Sequence, residues 1–152
     1  MNFTEQAIKE FLVRAKRSTY AGDGALSVSS RPNSKDLHYC EGDLLYIDIY
    51  LGNMDFIGEE AVFKNQVPVW GMNYYGKMLI SDIPEGFSQC LKSALKALQP
   101  EYPFRGPAVF EHEGYTYKCS WQGSLSDFSG NEEIYLNGTC IYKLSFHGGY
   151  IK

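Results

Sequence analysis

The chain has 152 residues, a net charge of −4, 44% hydrophobic and 15% aromatic residues. It is long enough to bury a core without staples and too apolar to be disordered. The acidic balance gives no electrostatic footprint for nucleic acid, and no apolar run reaches the roughly 18 residues that span a bilayer. The N-terminus lacks the apolar region of a signal peptide. The four cysteines, Cys40, Cys90, Cys119 and Cys140, show no metal-binding spacing and read as free core thiols. We therefore expect one cytoplasmic domain over residues 1–152, with no cofactor, no metal, and neither nucleic acid nor membrane as a direct partner.

Phe3, Ala7, Ile8, Phe11, Leu12 and Ala15 recur at helical spacing, which predicts an amphipathic helix over residues 4–17 with Thr4 or Asn2 as N-cap. Arg14, Lys16 and Arg17 at its end read as helix-dipole partners or a solvated face. Residues 18–36 are rich in Ser, Gly and Asn and carry Pro32, a long link that is functional or mobile, with a short strand over 25–29. Three strands follow, over residues 44–50, 56–64 and 67–75, with turns at Gly52-Asn53 and Asn65-Gln66. Residues 84–98 return to helical spacing, with Pro84 in the first turn and Pro100 ending the helix. A second meander runs over residues 115–121, 128–136 and 139–147, and Asn137-Gly138 is a strong hairpin signal.

The two meanders repeat each other. Residues 56–76 align without gaps on 128–148 at a constant offset of 72, matching Phe56 with Phe128, Glu60 with Glu132 and Trp70 with Tyr142. The preceding strands align at an offset of 71, Tyr46 with Tyr117 and Tyr50 with Trp121. The expected fold is α+β: a duplicated α-β-β-β unit, halves 1–80 and 81–152, forming an antiparallel sheet with two helices on one face. Strand parity puts Trp70, Met72 and Tyr74 beneath the helices and Asn73 and Tyr75 on the other side.

No catalytic signature is present. Glu59-Glu60 and Glu132-Glu133 are adjacent strand residues pointing to opposite faces, so neither pair is a dyad by itself. His38, His112 and His147 lack metal spacing, although His147 precedes two glycines that allow a close approach. Asp48 lies between Tyr46 and Tyr50 in a strand apolar on both sides, which asks for phenolic hydrogen bonds or a polar pocket. Gly22-Asp23-Gly24 belongs to no phosphate-binding pattern.

The runs FLVRAKRSTYA at 11–21, SSRP at 29–32, DLHY at 36–39, GEEAV at 58–62, WGMNYYG at 70–76, FRGP at 104–107 and FHGG at 146–149 resemble a bacterial family of unknown function. Its members occur alone or behind an XRE (Cro/repressor-type) helix-turn-helix domain and are associated with transcriptional regulation. The resemblance implies no reaction and no site residues. This chain opens at the first helix, so DNA binding is not expected of it. The duplicated plan is also loosely similar to gyrase-inhibitor-like effector domains, which implies a ligand groove between the halves.

The leading expectation is a small-molecule-binding or sensing domain. Its groove would be lined by Arg31, Tyr39, Tyr46, Asp48, Trp70, Asn73, Tyr75, Arg105, Trp121 and His147. Two alternatives stand beside it. One is a protein-interaction or homodimerisation module, and the other is a hydrolase-like enzyme using Glu60 or Glu132 with His147.

Overall fold

The computed structural model describes residues 3–152. Among these the elements are α1 (Glu5–Ser18), β1 (Lys35–Glu41), β2 (Leu44–Gly52), β3 (Asp55–Lys64), β4 (Val67–Met78), α2 (Phe87–Lys96), β5 (Val109–His112), β6 (Tyr115–Ser124), β7 (Asp127–Leu136) and β8 (Thr139–Tyr150). All strands join one antiparallel sheet in the order β1-β2-β3-β4-β8-β7-β6-β5. The fold is α+β, with four strands after each helix where three were expected. The two unexpected strands, β1 and β5, are the sheet's edges. KDLHYCE carries little apolar alternation and VFEH is only four residues long. Polar or short edges blunt further pairing and leave a faint sequence signal.

Thr4 caps α1 as expected, its Oγ1 accepting from Ala7 N at 3.2 Å. Ile8, Phe11, Leu12 and Ala15 are buried on the sheet side. The second helix begins at Phe87, three residues beyond the proline expected in its first turn. Gly86 adopts φ +85 and is the N-cap, while Pro84 sits in the preceding turn and accepts from Phe87 N at 3.2 Å. No helix among the described residues is long and apolar enough to cross a membrane.

The long 18–36 link is ordered by its own polar groups. A 3-10 turn spans Tyr20–Gly22. The Asp36 carboxylate then accepts from Ser34 Oγ at 2.5 Å and Ser30 N at 3.2 Å, closing the Ser-Arg-Pro-Asn turn. The strand expected over 25–29 reduces to one bridge, Ser27 with Asp36.

The two halves meet along β4 and β8, where Tyr74 lies opposite Phe146. Contacts on either side of this seam recur at the 72-residue spacing. Phe56 stacks on Tyr142 with centroids 6.2 Å apart, and Phe128 stacks on Trp70 at 5.8 Å. Register shifts fall at Val62/Phe63 and at Ile134/Tyr135. Gly58 opposite Tyr74 and Gly130 opposite Phe146 leave room for the ring above them, since a Cβ at either would run into that ring. Trp70, Met72, Tyr74, Tyr142, Leu144 and Phe146 form the core with both helices, whereas Tyr75 is 47% exposed on the reverse side.

Phe128 is sandwiched between Trp70 and the Phe104 ring, the latter 4.0 Å away. Phe128→Ala is therefore expected to cost about 3–5 kcal/mol, read as a lowered urea midpoint with unchanged slope.

Candidate functional site

Beneath the helices the core carries a set of buried charges. Glu132, fully buried on β7, accepts from Arg105 Nε at 2.9 Å and Nη2 at 2.8 Å, from Tyr117 OH at 2.5 Å and from Tyr142 OH at 2.7 Å. Arg105 comes from the link between α2 and β5. Its neighbours are held as firmly: Gly106 N donates to Tyr117 OH at 2.8 Å, and Phe104 O accepts from Lys16 Nζ. Burial would raise the Glu132 pKa, but the charge and hydrogen bonds of Arg105 outweigh it and hold the carboxyl below its usual range. Glu60, at the position matching Glu132, accepts from Tyr46 OH and pairs with Lys16 Nζ at 3.0 Å. Burial pushes the Lys16 pKa down against the pull of Glu60.

Asp48 is the odd group. It is buried on β2, and its Oδ1 accepts from Tyr74 OH at 2.6 Å. Among the described residues it has no ion pair and no second hydrogen-bond donor. Burial, then the nearby charge of Glu60, raises its pKa to about 7, although Tyr74, Arg105 and Lys16 pull the other way. Within this cluster three carboxylates thus face two cations, and leaving Asp48 protonated balances the set.

Asp48 also lines a cleft. The cavity holds about 100 Å³ and is walled by Tyr20, Tyr50, Phe56, Tyr74 and Phe87, with Arg105, Lys35 and Ser88 also on its lining. A smaller space of about 30 Å³ shares Tyr20, Asp48 and Arg105 and reaches Lys16, Tyr46 and Glu60. Tyr20 and Tyr50 meet edge to face at 6.0 Å. Lys92 Nζ stands 5.1 Å from the Tyr20 ring centroid and Lys35 Nζ 5.3 Å from that of Tyr50.

On the opposite face of the sheet Arg31, Glu59, Asn73, Tyr75 and His147 border a broader, shallower groove of about 480 Å³. Register explains the grouping: Asn73 lies opposite His147 on one side and Glu59 on the other.

The ten residues expected to line one groove therefore divide. Arg31, Asn73, Tyr75 and His147 share the outer face. Asp48 and Arg105 line the cleft beneath the helices, and Tyr46 lines its smaller annex. Trp70 is core, fully buried with Nε1 donating to Leu125 O at 3.2 Å. Tyr39 packs on Phe11 near an edge and donates to Glu41, while Trp121 rests on Tyr102, 5.5 Å between ring centroids. The alternation of strand side chains, together with the width of the sheet, keeps these groups apart. The same alternation ends the Glu–His constellation. Glu60 and Glu132 are buried under the helices, committed to Lys16 and Arg105, and His147 points outward.

Sequence reasoning passed over Lys16, Tyr20, Tyr74, Tyr117 and Tyr142. Lys16 reads as a solvated cation, but it continues the Leu12, Ala15 stripe of α1 and is only 8% exposed. Tyr74 was available from the repeat, whose second half has Phe146 in its place.

Arg105→Met would strand Glu132 as a buried unpaired charge. It is expected to cost about 3–5 kcal/mol in urea unfolding, with part of the loss recovered in Arg105→Met/Glu132→Gln, which removes the charge and keeps an acceptor for Tyr117 and Tyr142. Asp48, whose folded-state pKa lies above its ordinary 3.8, contributes stability below about pH 4 and loses it as pH rises towards 7. Asp48→Asn keeps an acceptor for Tyr74 and cannot ionise. Its stability relative to the parent should rise from pH 4 to 7, by on the order of 2–4 kcal/mol, and then level off.

No curated protein and no solved structure matches the chain. A family model matches residues 48–151, a span that contains Asp48, Glu60, Tyr74, Arg105, Tyr117, Glu132 and Tyr142 and leaves α1 with Lys16 outside. With more than half of its length so matched, the chain belongs to the family defined by the domain of unknown function DUF5680.

Proposed function

We propose that this protein is a small-molecule-binding domain whose output is occupancy rather than turnover, and that its site is the Asp48 cleft. One observation carries the reading: the two halves agree where they pack and differ where the cavity lies. Each half has a buried glutamate taking a tyrosine hydroxyl and a cation, Tyr46–Glu60–Lys16 and Tyr117–Glu132–Arg105. The recurring register shifts, seam stacks and ring-covered glycines support descent of both halves from one duplicated unit, here α-β-β-β-β.

Against that background Asp48 stands where the second half has Cys119, and its partner Tyr74 where the second half has Phe146. Cys119 and Phe146 are buried and show that the packing at these positions needs neither a carboxyl nor a hydroxyl. A buried carboxyl without a counter-ion costs free energy that packing does not repay. Such costs collect at functional sites. The cleft beside Asp48 supplies the aromatic walls and the few polar groups that small-molecule sites use. An association with XRE-type helix-turn-helix regulators in the cytoplasm, implied by the family resemblance, would make the domain a sensor.

A second reading, self-association through the outer face, draws on Leu51, Ile57 and Tyr75, which are 37%, 54% and 47% exposed around the shallow groove. Sedimentation velocity distinguishes it: a monomer at high protein concentration ends that reading.

The cleft is tested by making the first half copy the second. Asp48→Cys/Tyr74→Phe is expected to fold at least as stably as the parent. In a thermal-shift screen against a metabolite panel, a ligand at about 100 times its dissociation constant adds about 2.7 kcal/mol, raising Tm by roughly 5–10 °C. The double variant should lose that rise. A ligand that stabilises both proteins equally binds elsewhere.

A further inference from the structure

Resting on the cleft as the ligand site, the charges around it specify what enters. We infer that the ligand is a small organic cation, a protonated amine whose ammonium group pairs with Asp48 and whose apolar body lies against the rings of Tyr20, Tyr50, Phe56 and Phe87.

Charge complementarity is the first argument. Arg105 spends Nε and Nη2 on Glu132, and Lys16 spends its ammonium on Glu60 and Phe104 O. Lys35 lines the cleft with its ammonium over the Tyr50 ring. Asp48 is the one carboxylate of the cluster without a cation among the described residues. A bound anion would meet Asp48, with Glu60 behind it, and would find the Arg105 guanidinium already committed. A bound cation supplies the missing positive charge, so that three carboxylates face three cations. Binding then converts the carboxyl to a carboxylate, and the displaced proton leaves to solvent.

The walls agree with the charge. Aromatic faces attract ammonium groups, and the attraction grows when water is excluded. The chain itself already places Lys92 over Tyr20 and Lys35 over Tyr50. Size narrows the class further. The cavity of about 100 Å³ is smaller than the roughly 150 Å³ that accommodates benzene. The enclosed part takes an ammonium and its first carbons, and a larger body such as a phenyl ring lies outside it, towards the exposed Ser88 on the lining.

The groups facing Asp48 are Tyr46 and Tyr50 on its own strand, Glu60 on β3, Tyr74 on β4, Lys16 on α1, Tyr20 in the 3-10 turn and Arg105 in the α2–β5 link, and Lys35 on β1 lines the same cleft.

Three probes that share a phenyl ring and differ in charge, benzylamine, benzyl alcohol and benzoate, are titrated into the full chain and followed by amide NMR at pH 6 and pH 8. The parent is compared with Asp48→Asn and with Ser88→Trp, an exposed position on the cleft lining that narrows the mouth. Benzylamine, protonated at both pH values, should bind the parent roughly tenfold more tightly at pH 8, following ionisation of a group titrating at about 7. That binding should fall at least tenfold in each variant, and benzyl alcohol and benzoate should bind at least tenfold more weakly. Benzyl alcohol or benzoate binding as tightly as benzylamine, surviving Asp48→Asn but lost in Ser88→Trp, overturns the cation while leaving the cleft a ligand site. Benzylamine binding that survives both variants overturns the assignment to Asp48. Silence from all three probes overturns the cation inference, and the metabolite screen then decides separately whether the cleft binds anything.

Discussion

The bidentate pair between Arg105 and Glu132 is the contact on which the interior depends. Two formal charges taken out of water are tolerated only when each finds complete hydrogen bonding, and Glu132 receives four donors. Meeting that demand fixes the Phe104-Arg105-Gly106 segment by three anchors: Lys16 on one carbonyl, Glu132 on the guanidinium and Tyr117 on one amide. Phe104, so placed, lies 4.0 Å over Phe128, which stacks in turn on Trp70 across the seam between the halves. A polar constraint in one half therefore sets an apolar contact between both. No buried side-chain nitrogen or oxygen among the described residues lacks a partner, as a core with this many ionisable groups requires.

The same economy isolates Asp48. Glu60 and Glu132 occupy matching positions, each with a phenol and a cation, and are explained by the architecture. Asp48 is not, because its counterpart Cys119 fills the equivalent place without charge. It sits where the α1 side of the sheet opens into a cleft and where its phenolic partner also departs from the repeat. Differences between the aligned segments that carry an energetic cost and coincide with a cavity support the proposed site in a way that the shared features do not.

Much of the architecture was legible in the sequence. The gapless alignment of residues 56–76 on 128–148 locates the strands of the seam, and parity alone puts Trp70, Met72 and Tyr74 under the helices, where they are buried. The edge strands were not legible, because KDLHYCE and VFEH lack the alternation that half-buried strands display. The site was readable only in fragments. Asp48 announced itself as a carboxylate in an apolar strand, and Arg105 lay within FRGP at 104–107, but their proximity is a property of the tertiary fold. Period-2 reasoning also had the means to separate His147 and Asn73 from Asp48 and Arg105. Collecting all of them into one groove overlooked that a sheet is a wall. Lys16 was hidden because a lysine at a helix C-terminus satisfies the dipole rule whether it faces water or core.

The central claim is that Asp48 is an uncompensated buried carboxyl poised to accept a charge. The most direct test follows the side-chain carboxyl carbon of Asp48 by ¹³C NMR from pH 4 to pH 9 in the ligand-free protein, assigned by its absence in Asp48→Asn. The account predicts a midpoint near 7, set by burial and the charge of Glu60. A midpoint at the ordinary aspartate value of about 4 would mean that Asp48 is already solvated or paired, and would contradict the account.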